Sequence, residues 1–227
     1  MKFDGKPPVR LGRGTGCGLS PDGRWVAAMT DFTALVLLPT GSGEAKRLLA
    51  GALKYYYDAR WLPDGKRLLI AGSEGSRPRR LFLQEVEGKT PRPITPEGVA
   101  AEYQIPSPDG KWVAAGVDWR QAPYALYPVE GGEPKPIPGL EKGEEPLRFD
   151  SDGTHLFLRA DPRDQAFARV ARLDLKAGRK EAWREIRPAD ASGVTEIQWI
   201  YLTPDGRNYI YTFARRLSTL YLVEGLR

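Results

Sequence analysis

Five carboxylates recur in one short setting, and they are the first groups in this sequence that could do chemistry. Asp22, Asp64, Asp109, Asp152 and Asp205 each precede a glycine, in Ser20-Pro21-Asp22-Gly23, Leu62-Pro63-Asp64-Gly65, Ser107-Pro108-Asp109-Gly110, Asp150-Ser151-Asp152-Gly153 and Thr203-Pro204-Asp205-Gly206. Two carboxylates can act as general acid and base when they converge on one bond. Five copies spread along the chain cannot converge, so a structural role is expected of them. Asp150 and Asp152 match the first two ligands of a calcium loop, but neither the loop glycine nor the closing bidentate glutamate follows. No metal is expected there.

Nucleophilic catalysis has equally little to draw on. His155 is the single histidine, and it stands just past one of these tetrads, where the other copies have Trp25, Arg67, Trp112 and Asn208. No Gly-x-Ser-x-Gly elbow presents a serine to it. Cys17, the single cysteine, has no histidine near it in sequence and reads as a small core filler. The run Gly12-Arg13-Gly14-Thr15-Gly16-Cys17-Gly18 lacks the spacing and the following Lys-Ser/Thr of a phosphate loop and leads into a strand. No cofactor is expected, and without a kinase catalytic loop, Asp-Phe-Gly segment or strand lysine the chain itself does not transfer phosphoryl groups.

The elements that carry these residues follow from the repeat. The five aspartates are 42, 45, 43 and 53 residues apart, about the length of one propeller blade. In each tetrad proline presets φ, aspartate accepts from nearby amides and glycine takes the left-handed conformation that closes a tight turn. Glycines 23, 65, 110, 153 and 206 therefore mark strand-to-strand turns.

A short apolar strand follows each turn: Trp25-Val26-Ala27-Ala28, Arg67-Leu68-Leu69-Ile70, Trp112-Val113-Ala114-Ala115, His155-Leu156-Phe157-Leu158 and Asn208-Tyr209-Ile210-Tyr211. Such runs are too short for amphipathic helices and fit strands buried on both faces. A further strand follows in every unit, beginning at Ala34, Leu81, Ala125, Val170 and Leu220, and then a short, charged outer strand at Lys46, Arg92, Lys135 and Lys180, with proline in those at Arg92 and Lys135.

The last unit stops at Arg227 without an outer strand, while Phe3 to Leu11 at the start matches Val86 to Ile94 in type and spacing. The expectation is an all-β, five-bladed β-propeller with four antiparallel strands per blade, closed by the N-terminal segment acting as outer strand of the last blade. It is one domain over 1–227, with blades at about 13–50, 51–96, 97–140, 141–188 and 189–227 plus 1–12.

The repeated Ser-Pro-Asp-Gly-Lys/Arg turn with its apolar strand resembles the TolB-like, WD-repeat-like propeller family over essentially the whole chain. More narrowly, Gly18 to Val26, Tyr127 to Pro134 and the ending Leu217 to Leu226 are similar to the C-terminal propeller region of bacterial eukaryotic-like serine/threonine protein kinases. That resemblance implies a sensing or binding module of a signalling kinase. It also implies a location either outside the cytoplasmic membrane, on a membrane-anchored kinase, or in the cytoplasm.

The function expected is non-catalytic binding of a protein or small ligand by a monomer, the alternative being a propeller that serves or acts as a hydrolase. Tyr55, Tyr56 and Tyr57, with Trp119 and Arg120 in a loop, are the candidate binding residues, because aromatic and arginine side chains dominate binding hot spots. A net charge of +5 is spread along the chain, so no nucleic-acid partner is expected. No stretch reaches the roughly 18 apolar residues of a membrane span.

Overall fold

A computed structural model describes residues 9–99, 104–117, 124–161 and 165–218. Among these residues every regular element is a β-strand. Sheet one holds β1 (Thr15–Leu19), β2 (Trp25–Thr30), β3 (Ala34–Pro39) and β4 (Lys46–Arg47); sheet two holds β5 (Tyr55–Trp61), β6 (Arg67–Ser73), β7 (Arg80–Glu85) and β8 (Arg92–Pro93). Sheet three holds β9 (Ile105–Pro106), β10 (Trp112–Ala115), β11 (Ala125–Pro128) and β12 (Lys135–Pro136). Sheet four holds β13 (Glu145–Phe149), β14 (His155–Arg159), β15 (Ala168–Asp174) and β16 (Lys180–Ile186), and β17 (Val194–Leu202) pairs with β18 (Tyr209–Arg215).

All pairings are antiparallel, and in each four-stranded sheet neighbours in sequence are neighbours in space. The strand expected at Leu220 and the N-terminal segment up to Pro8 lie outside the described residues. The chain divides into two compact units, parted between Pro136 and Ile137.

Five identical turns join the first two strands of each sheet. The Gly23, Gly65, Gly110, Gly153 and Gly206 amides donate to the carbonyls of Ser20, Leu62, Ser107, Asp150 and Thr203 at 2.9, 3.0, 2.9, 3.2 and 2.9 Å, and each glycine has φ between 65° and 76°. Asp22, Asp64, Asp109, Asp152 and Asp205 accept from the amide two residues on at 2.8 to 3.0 Å. Ser20 Oγ and Ser107 Oγ donate to Asp22 and Asp109 at 2.6 Å and accept from the Trp25 and Trp112 amides at 2.9 and 3.0 Å. Pro21, Pro63, Pro108 and Pro204 occupy the corner, where φ is preset and no amide is required.

These bonds have a pH consequence. Hydrogen bonds from Ser20, Ser107, Thr154 and Thr203 hold Asp22, Asp109, Asp152 and Asp205 below the ordinary carboxyl range, Asp152 at about 2. A carboxyl whose folded pKa is depressed lends stability that is present above its unfolded value and disappears as pH falls through the folded one. The melting temperature is therefore expected to be flat above about pH 5 and to fall between about pH 4 and 2. The Asp152→Asn variant is expected to show a shallower fall. A melting temperature equal at pH 5 and pH 2.5 would count against this role of the turns.

The second strands explain why their sequences read as unbroken apolar runs. In β6, Leu68 and Ile70 pack with Ala27, Leu35, Leu37 and Trp61, while Leu69 and Ala71 on the other face pack with Val113, Ala115, Tyr127 and Val129. Period-two alternation thus serves two neighbouring sheets, and both faces are apolar. In the second unit Phe157, Val170 and Ile186 pack likewise with Ile197, Ile200 and Leu202. Each such fully buried aliphatic side chain contributes about 1.5–3 kcal/mol.

Candidate functional site

Inner strands carry β-bulges in four of the five cases, at Cys17 in β1, Tyr57 in β5, Leu147 in β13 and Gln198–Trp199 in β17. A bulge inserts one residue opposite none, bends the strand and re-aims side chains. In β5 the tyrosine triplet leads into the bulge, and its side chains alternate between exposed and buried. Tyr56 is buried at 1% exposure among Leu37, Trp61 and Ile70, and burial raises its hydroxyl pKa, whereas Tyr55 and Tyr57 remain 46% and 41% exposed.

Around Tyr57 the surroundings are ordered. Its hydroxyl lies 3.4 Å from Ser73 Oγ, and the Arg79 guanidinium lies 4.9 Å from its ring centroid. The neighbouring cations are engaged: Arg60 pairs with Asp58 at 3.0 Å, Arg77 with Glu97 at 3.4 Å, and Arg80 with Glu74. Arg79 has no carboxylate partner among the described residues. Stacking holds it against an aromatic face with its hydrogen-bonding edge available.

A strained turn abuts the Tyr56 amide. Asp31 and Phe32 have φ of 48° and 55°, Thr33 N donates to Thr30 O at 3.0 Å, and Thr30 pairs with Ala34, so the three-residue loop 31–33 opens with two left-handed residues, neither of them glycine. A left-handed phenylalanine costs about 1–2 kcal/mol. The Phe32 carbonyl accepts from the Tyr56 amide at 2.8 Å and its ring is 57% exposed. Strain of this kind persists where the surroundings over-determine it and clusters where binding occurs.

The remaining candidate chemistry points elsewhere. Burial, and after it the charge of Asp58, pushes the Cys17 thiol up to about 11, so it is uncharged at neutral pH and a poor nucleophile. The Gly12–Gly18 run enters β1, a strand rather than a helix, and offers no helix N-terminus to a phosphate.

In the second unit Asp150, Asp152 and His155 bring their ligand atoms within 4.8 Å of one another. Arg172 Nη2, however, lies 3.0 Å from Asp150 Oδ2 and 3.1 Å from His155 Nδ1, and Asp150 Oδ1 accepts the His155 amide at 3.0 Å. A guanidinium thus stands where a cation would bind, and Asp150 serves as the counterpart of Ser20 and Ser107. Arg159, fully buried, donates to the Ile197 carbonyl at 2.6 Å with Asp161 3.5 Å away, and burial raises the Asp161 pKa.

Trp119 and Arg120 lie outside the described residues. Two members of the site, Arg79 and Phe32, were missed in the sequence. Arg79 belongs to the basic cluster Arg77, Arg79, Arg80, which composition alone reads as solvated surface, and its separation from Tyr57 hides the stacking. Phe32 had no signal, because phenylalanine is not a residue that marks a left-handed turn position.

No protein-family model matches the sequence, and no curated protein matches it. Solved structures do match. A protein described as TolB from Agrobacterium tumefaciens superposes with a TM-score of 0.64 at 17% identity, over 89% of this chain and 70% of that one. TolB from Acinetobacter baumannii gives 0.58 at 16%, over 86% and 53%. An oligogalacturonate lyase in complex with manganese gives 0.64 at 15%, over 86% and 58%. The chain thus spans between about half and seven tenths of their lengths. At such identities the likeness concerns the fold, that of the TolB-like β-propellers.

Proposed function

We propose that this chain is a non-catalytic binding module, a five-bladed propeller of the TolB-like kind, whose site is formed by Tyr55, Tyr57, Arg79 and Phe32. The observation that carries this reading is Arg79: it alone of four neighbouring arginines has no carboxylate among the described residues, and it is held in place by stacking on Tyr57. A stacked arginine beside exposed aromatic rings offers both hydrogen-bonding edge and apolar area, the combination that dominates hot spots. The ligand is a protein segment or a small molecule with an acceptor group. The kinase-like ending supports a place as the sensor region of a signalling kinase.

A thermal-shift screen of peptides and small molecules against the chain and its Tyr57→Ala/Arg79→Ala variant tests the site. Ligands are expected to raise the melting temperature of the parent and to lose at least about tenfold in affinity for the variant, about 1.4 kcal/mol. Ligands that bind both proteins equally would refute the site. A screen without ligands, joined to hydrolase or lyase activity in the same preparation, would refute the non-catalytic reading.

A further inference from the structure

The outer strands differ in a way the repeat does not require. β4, β8 and β12 have two residues each, and β8 and β12 contain proline, whereas β16 has seven residues and none. Among the described residues β16 is the last strand of its sheet and is paired on one side only. A free edge of that length is a template for another strand.

The ladder phase of that edge can be read. Asp174 N donates to Arg179 O at 2.9 Å, so residues 179 and 181 turn their backbone groups toward β15, and Ala182, opposite Ala171, turns its own outward. Glu181 lies opposite Arg172 and Arg184 opposite Val170, which puts both on one face of the sheet, and Trp183 is the extra residue of the bulge between them. Lys180 and Glu185, opposite Leu173 and Arg169, share the other face.

Charge completes the pattern. Lys180 is paired with Glu141 and Glu144 at 3.0 and 2.7 Å, and Glu185 is paired with Arg187 and with Arg169. Glu181 and Arg184 have no oppositely charged partner among the described residues. The Arg184 guanidinium is held 5.0 Å from the Trp183 ring and 5.2 Å from the Tyr209 ring.

We infer that β16 is a self-association edge: it pairs antiparallel with β16 of a second copy of this chain, about a two-fold axis at Ala182. Ala182 then exchanges hydrogen bonds with Ala182 of the partner subunit. With the bulge residue passed over, Glu181 faces Arg184 of the partner subunit at a position where no backbone bonds form and side chains approach most closely. Lys180 faces Glu185 of the partner subunit on the other side. The axis repeats each pair, so every charge on the edge meets its opposite. One pair of edge strands buries less than the roughly 1,200 Å² of a stable complex, so the dimer is weak and replaces the monomer only at high concentration.

Sedimentation equilibrium of the full chain, from about 10 μM to about 1 mM, is expected to show reversible dimerisation. Ala182→Pro is expected to abolish it without lowering the melting temperature, because β15 does not use that amide and an edge strand tolerates proline. Glu181→Arg is expected to weaken it at least about tenfold, and Glu181→Arg with Arg184→Glu to restore it to within about threefold. A chain monomeric throughout, a dimer unmoved by Ala182→Pro, or a charge swap no better than the single reversal would each overturn the inference. If Ala182→Pro misfolds, the swap decides alone. None of these outcomes depends on the Tyr57–Arg79 site.

Discussion

Replacing Gly139 with alanine is expected to destabilise the protein by about 3 kcal/mol or more, the largest effect of any single methyl group in the second unit. Gly139 has φ of +76°, and a Cβ built on it would lie 2.2 Å from the Gly178 carbonyl oxygen and 2.8 Å from the carbon behind it. Those atoms are backbone, and they cannot swing aside as a side chain can. Gly178, itself at φ of +66°, closes the turn between β15 and β16 by donating from its amide to Asp174 O at 2.8 Å. Moving that turn also pulls Lys180 from Glu141 and Glu144. The methyl group thus sets the left-handed strain of a non-glycine residue against the start of β16.

Gly143, in the same connection, separates the two contributions. Its φ is +93°, but a Cβ there meets nothing within 4 Å. Gly143→Ala should therefore cost only the conformational part, about 1–2 kcal/mol. Urea unfolding of both variants measures the difference directly. If Gly139→Ala came within about 0.5 kcal/mol of Gly143→Ala, the close approach of the two turns would not be a feature of the folded protein.

What could be read in the residues beforehand divides along the range of the interactions. The tetrads were legible because every bond in them is local: Ser20, Asp22 and Trp25 satisfy one another within six positions, and five copies fixed the strand order of each sheet. Period two could also have told Tyr56 from Tyr55 and Tyr57, since alternate residues face opposite sides of a strand. The bulges at Cys17, Tyr57 and Leu147 were not legible, because no residue type is peculiar to them. Nor was the place of Arg79 on Tyr57, or of Phe32 against the Tyr56 amide, as each joins residues distant in sequence. Sequence predicts a four-residue outer strand from Lys180 to Trp183; its extension to Ile186 depends on β15 being equally long, which only the pairing reveals.

Deleting Met1 to Gly12 is expected to convert the protein into oligomers or to unfold it, if the proposed five-bladed ring is right. Each unit leaves apolar residues in water. In the first unit Leu19 and Leu49 are each 51% exposed, with Leu19 beside Val26 on the face turned away from the core that Ala27 enters. In the second unit Tyr209 and Tyr211 pack inward against Phe157 and Ile200, so Ile210 between them faces outward, 69% exposed. An open sheet face exposes apolar area at about 25 cal/mol per Å². The proposed ring would remove this cost, with the N-terminal segment as the outer strand of the last blade. Ile210→Lys then discriminates sharply. On an exposed face it should change stability by no more than about 0.5 kcal/mol, whereas buried between closed blades a lysine should cost several kcal/mol. Size-exclusion chromatography and thermal melting of the deletion and of Ile210→Lys measure both; a monomeric deletion variant and an unaltered melting temperature for each would leave the ring without support.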